Sequence, residues 1–134
     1  MNKEWLIKQL RYLASQGFNI KVYNNFRRVV IEGLELQGDG WTDFNGNPIR
    51  FTSVMIDLPE DFPMSVPGVG FAHPNKAIHI PAIKYNGKPL KNLYECQHKP
   101  WRWLCFQKIV WDPQIDNLIT LLQIIEKSIY DRRQ

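Results

Sequence analysis

Five apolar residues near the end of the chain recur at helical spacing. Leu118, Leu121, Leu122, Ile125 and Ile129 fall at i, i+3, i+4, i+7 and i+11. One face of a helix is then continuously apolar and must be covered by another element. Just ahead stands Trp111-Asp112-Pro113. An aspartate can cap the orphan N–H groups of a helix, and proline suits the first helical position because its missing donor is not needed there. The spacing therefore predicts that the helix opens at Pro113. Cys105 lies six positions before Trp111, in the apolar run Trp103-Leu104-Cys105-Phe106. A thiol between apolar anchors, followed by a short loop and a well-specified helix, is held in one place.

The rest of the chain reads as α+β in one domain, residues 1–134. Residues 3–16 carry Leu6, Leu10 and Leu13 on one face, and Gly17 supplies a stop. Phe18 to Tyr23 and Arg28 to Leu36 read as two strands joined at Asn24-Asn25. Trp41 to Phe44 is a short bridging piece between two turns. Ile49 to Leu58 reads as a third strand and Gly68 to Ala72 as a short fourth, giving an antiparallel meander. Pro81 to Pro100 is polar and turn-rich, and is expected to be a loop bordering the cysteine.

Several function classes recede on composition. No apolar run approaches the roughly 18 residues of a membrane span, and the N-terminus lacks the apolar stretch of a signal peptide. Two cysteines are too few for a disulfide scaffold, so a cytoplasmic protein with reduced thiols is expected. The net charge of +4 allows an acidic partner. The basic residues are nevertheless spread along the chain, with short clusters only at Arg27-Arg28 and Arg132-Arg133, which favours a solvated surface over a nucleic-acid face. Cys96, His98 and Cys105 lack paired zinc-ligand spacing, so no metal is expected. Gly38-x-Gly40 opens no helix after a strand, so no phosphate-cradling loop or cofactor is expected either. Trp101, Arg102 and Trp103 could stack on bases, but aromatics so near the cysteine fit better as walls of its site.

Two blocks together resemble a known family. The run WLCFQKIVWDPQIDNLITLLQII is similar to the active-site region of ubiquitin-conjugating enzymes, where the catalytic cysteine precedes a Trp-x-Pro helix. Residues 56–69, IDLPEDFPMSVPGV, resemble that family's third strand and proline-rich loop. The likeness spans most of the chain, and the single C-terminal helix resembles the family's compact bacterial members. It implies a UBC-like fold: N-terminal helix, four-stranded antiparallel meander, active-site loop and C-terminal helix. It also implies a function: accepting a ubiquitin-like modifier from an activating enzyme as a cysteine thioester, then passing it to a target protein.

By that resemblance Cys105 is the catalytic nucleophile. A thiol suits acyl transfer, and its thioester stays reactive toward amines. Thiol exchange also needs less base assistance than amide cleavage, which fits a cysteine with no adjacent histidine. Cys96, in Tyr94-Glu95-Cys96-Gln97-His98, is the competing thiol, in a context that reads as an exposed loop. The family's His-Pro-Asn tripeptide stabilises an oxyanion, and His73-Pro74-Asn75 matches it as a string. Counted from Val69 and Phe71, however, the family's histidine falls near His79, so Asn75 and His79 are both candidates. The family docks its activating enzyme on the first helix, which points to Lys8 and Arg11. Trp5 reads as lying beside them on the exposed side. Two alternatives remain: an inactive binding module on the same fold, and a basic nucleic-acid-binding domain.

Overall fold

The computed structural model describes residues 1–67, 77–106 and 109–133. It is an α+β structure with an N-terminal helix, antiparallel sheet and a C-terminal helix. Helix α1 (Lys3–Ser15) starts where the Asn2 side chain accepts from the Trp5 amide at 3.1 Å. It ends as Gly17, at φ +99°, takes the left-handed conformation that lets the chain turn away. Strands β1 (Asn19–Tyr23) and β2 (Arg28–Glu35) form the expected hairpin, followed by β3 (Trp41–Asp43) and β4 (Phe51–Asp57). Then come β5 (Ile78–Pro81), β6 (Ile83–Tyr85), β7 (Lys88–Pro89), β8 (Leu93–Glu95) and β9 (Trp101–Leu104), and finally α2 (Leu118–Asp131).

Six of these strands make the main sheet, in the order β1-β2-β4-β5-β9-β8. Each neighbouring pair is antiparallel. The strands β1, β2, β4 and β5 run as an antiparallel meander that β9 and β8 widen to six, and β1, β2 and β4 are the first three strands expected. The piece around Trp41 is not part of this sheet: β3 pairs with β6, and β6 with β7, in a second, three-stranded sheet. The expected strand Gly68–Ala72 lies outside the described residues.

The 81–100 segment corrects a second expectation. Three short strands, β6, β7 and β8, lie within it, and Asn86 (φ +51°) and Gly87 (φ +80°) supply the two left-handed residues of a tight hairpin turn between β6 and β7. The polar, turn-rich composition was hairpin chemistry. Gly40 serves the same region: a Cβ there would overlap the Asn86 side chain, so only glycine permits the approach.

Strand β2 changes phase in mid-course. Val29 and Ile31 are buried, then Leu34 and Leu36 after one residue too many for simple alternation. Gly33, at φ +97°, takes up the extra residue at a register shift between Glu32 and Leu34. The apolar side chains thereby stay on one face along the whole strand. Thr52, Val54 and Ile56 of β4 extend that inner face.

Both helices contribute to the core with the inner face. Leu6, Leu10 and Leu13 of α1 and Leu118, Leu121, Leu122, Ile125 and Ile129 of α2 join one continuous cluster with Ile56, Ile78, Ile80 and Leu104. Between the helices, Gln9 is buried and its Oε1 accepts from the Leu118 amide at 2.6 Å. That bond satisfies one of α2's orphan first-turn donors. The start of α2 departs from the sequence expectation. Asp112 and Pro113 open a separate turn, in which Asp112 Oδ1 accepts from the Gln114 amide at 2.9 Å. The long helix is capped instead by Asn117, reciprocally with Thr120. Asn117 is the better cap because it stands directly ahead of the apolar stripe. Trp5 is half-buried at the edge of α1's exposed side, its ring 5.8 Å from that of Phe62.

Truncating the α2 stripe should therefore be costly. Leu121→Ala, at a position with no solvent exposure, is expected to lose roughly 2–5 kcal/mol in urea unfolding through lost burial and a cavity. A loss below ~1 kcal/mol would mean that α2 does not close the core.

Candidate functional site

Cys105 follows directly on β9, the strand between β5 and β8. Its two neighbours anchor it. Leu104 has no exposure and Phe106 is buried, while Cys105 itself is half-buried. Alternation along an extended chain sends the side chains of Leu104 and Phe106 one way and that of Cys105 the other. The apolar anchors are thus the reason that the thiol is not in the core. Opposite stands Asn92, whose carbonyl accepts from the Cys105 amide at 3.3 Å. This bond lies one residue past the Leu93–Leu104 pair at the end of the β8–β9 ladder.

Arg132, at the C-cap of α2, reaches this point from the helix side. Its Nη2 donates to the Cys105 carbonyl at 2.8 Å, its Nη1 to the Asn92 carbonyl at 2.7 Å, and its Nε to Ser128 Oγ at 2.8 Å. The guanidinium also lies over the Phe106 ring, 5.2 Å from its centroid. Burial pulls the arginine's pKa down, and its electrostatic contacts with Cys105, Tyr94 and Asp131 act in the opposite direction. Beside it, Asn92 is held at φ +56°, with its Oδ1 accepting from the Tyr94 hydroxyl at 3.2 Å. The sequence reading singled out neither residue. Arg132 had shown only as part of a short basic cluster, and Asn92 carried no signal beyond a turn-forming asparagine.

Trp111 ties the chain beyond the cysteine to the proline-rich loop. Its Nε1 donates to the Pro63 carbonyl at 2.8 Å, and its ring lies 5.9 Å from that of Phe62. Met64, Val110 and Ile115, on these two loops, are strongly exposed for apolar residues.

The other thiol is differently placed. Cys96 is half-buried rather than an exposed loop residue, and its Sγ donates to the Trp101 carbonyl at 3.3 Å. The tight return of the chain from Cys96 to Trp101 turns the thiol inward. Trp103, the expected wall of the cysteine site, pairs with His79 on β5 and Tyr94 on β8. Trp101 instead lines a groove of about 490 Å³ on the outer face of the sheet, with Tyr23, Arg28 and Met55.

His79 lies at the centre of the main sheet, 1% exposed, paired with Met55 on β4. Burial pushes its pKa down to about 4, against the opposing pull of Asp57. Its ring meets that of His98 edge-on at 5.5 Å. Beside them Arg28 Nε is bonded to Asp57 Oδ1 at 2.6 Å. Among the described residues, the partners of His79 belong to this partly buried group and do not include Cys105. Asn75, the other oxyanion candidate, lies outside the described residues. Lys8 and Arg11 are exposed on α1. Among the described residues no three His, Cys, Asp or Glu side chains converge as a metal site.

Compared with known protein families, characterised proteins and solved structures, the chain matches none. Chemically, the Cys105 arrangement offers a half-buried thiol on a backbone held by a buried guanidinium.

His79 makes the fold pH-sensitive. Unfolded, its imidazole takes a proton near 6.5; folded, only near 4. The unfolded state binds more protons between those values, so the stabilisation is complete above 6.5 and is lost as pH falls toward 4. Urea unfolding should lose up to roughly 3 kcal/mol across that interval, and His79→Gln should flatten the dependence. A wild-type protein whose stability did not change there would contradict a buried neutral His79.

Proposed function

We propose that the protein is a ubiquitin-conjugating-enzyme-like acyl carrier with a UBC-like fold and Cys105 as its nucleophile. One observation carries this reading. Cys105 is the half-buried residue between two buried anchors, on the segment that leads through Trp111-Asp112-Pro113 to the C-terminal helix. An acyl carrier must be reachable by two macromolecules in turn, and this position allows it. The order of helix, antiparallel strands, proline-rich loop, five further short strands, cysteine and helix keeps the sequence of landmarks in the resemblance. The second small sheet, and the turn that separates Pro113 from α2, are this chain's own departures from it.

The Cys105 thiolate would attack the carbonyl carbon of the modifier's thioester on the activating enzyme. A carbon–sulfur bond forms to Cys105, and the activating enzyme's thiolate leaves. An amine of the target then attacks the new thioester, Cys105 leaves as thiolate, and the amine's proton passes to solvent or to a base. Trp111, bonded to Pro63, ties the segment that follows Cys105 to the proline-rich loop. Lys8 and Arg11 offer an exposed basic face on α1 for the activating enzyme.

Incubated with a cognate activating enzyme, the modifier and ATP, the protein should gain one modifier through a bond cleaved by thiol reductant. Cys105→Ser should give a reductant-stable ester or no product, because an oxygen ester is a poorer acyl donor, while Cys96→Ser should charge normally. Dependence on Cys96 alone would move the nucleophile to the other thiol. Dependence on neither cysteine, with a verified partner set, would leave a non-catalytic binding module on this fold.

A further inference from the structure

A buried arginine needs a reason, because taking a guanidinium out of water costs several kcal/mol unless its donors are met. Arg132 meets them in an uncommon way. A basic residue at a helix C-terminus ordinarily serves that helix's own last carbonyls. Here two of the three guanidinium nitrogens reach other elements, at Asn92 and Cys105, 40 and 27 positions away in sequence. Those two residues are partners across the end of the β8–β9 ladder. One planar group thus grips both chains where the sheet stops and the cysteine loop begins. The backbone returns the grip, since the Lys91 amide donates to the Arg132 carbonyl at 2.8 Å.

Building on the acyl-carrier reading, we propose that Arg132 is the positioning residue of the Cys105 nucleophile. It holds the thiol-bearing backbone from the end of α2 and ties it to Asn92 across the ladder. The planar fork spans two carbonyls, which a lysine ammonium on its flexible stem does not.

Alkylation by iodoacetamide tests this on the purified protein, with each cysteine followed separately by peptide mass spectrometry. Cys96 serves as the internal reference. Arg132→Met releases the thiol-bearing backbone, so Cys105 should alkylate severalfold faster relative to Cys96, while charging with modifier should slow about tenfold or more. Arg132→Lys should restore neither rate, because an ammonium does not span both carbonyls. Ser128→Ala, which removes the acceptor for Nε, should move Cys105 in the same direction by less. An Arg132→Met protein with wild-type melting and an unchanged Cys105 rate overturns the proposal. If that variant does not fold, an unchanged Cys105 rate in Ser128→Ala overturns it instead. Alkylation needs neither modifier nor activating enzyme. An Arg132 effect in a protein that never charges would therefore refute the conjugating function and leave the positioning role standing.

Discussion

Covering one face of one sheet with two helices is the constraint from which the rest of the structure follows. The buried bond from the Leu118 amide to Gln9 joins the two helices at the start of α2. With the helices' apolar residues gathered there, every strand that crosses the core must alternate, one side chain toward the helices and the next away. Cys105 is where that rule reaches the chemistry. Burying Leu104 and Phe106 leaves the residue between them nowhere to go but outward, and no local device is needed to expose it.

The sheet then separates two kinds of polar group. At the end of the β8–β9 ladder, Arg132 keeps its charge, since a guanidinium is not deprotonated in proteins, and distributes it over the Asn92 and Cys105 carbonyls. At the sheet's centre, His79 gives up its charge, and the ion pair of Arg28 with Asp57 stands beside it. An imidazole can solve the desolvation problem by losing a proton; a guanidinium can solve it only by finding acceptors.

Elements built from local pattern were legible in the sequence. The leucines of α1, the stop at Gly17, the Asn24-Asn25 hairpin and the α2 stripe all follow from periodicity and turn chemistry over a few residues. The errors came where local and long-range signals compete. Pro113 satisfies every rule for a first helical residue, yet the apolar stripe begins at Leu118, and Asn117 with Thr120 caps it better. The 81–100 segment looked like a loop because two- and three-residue strands leave almost no alternation to count. At the candidate site the cysteine could be read from its apolar flanks. Arg132 and Asn92 could not, because each is brought to Cys105 only by the packing of α2 and β8 against the strand before it. His79 shows the same limit in reverse. Its spacing drew attention, and the sheet put it among Met55, Trp103 and His98.

The phase change in β2 makes that strand behave like a sentence in two reading frames. Residues up to Glu32 address the core in one parity and residues from Leu34 in the other, with Gly33 as the single frameshift between them. Were Gly33 to run on as an ordinary extended residue, counted in the alternation, every later side chain would swing to the opposite face. Leu34 and Leu36 would turn to water, and Glu35, which faces solvent here, would point at the helices. The residue that contributes no side chain to the core is the one that decides which side chains reach it.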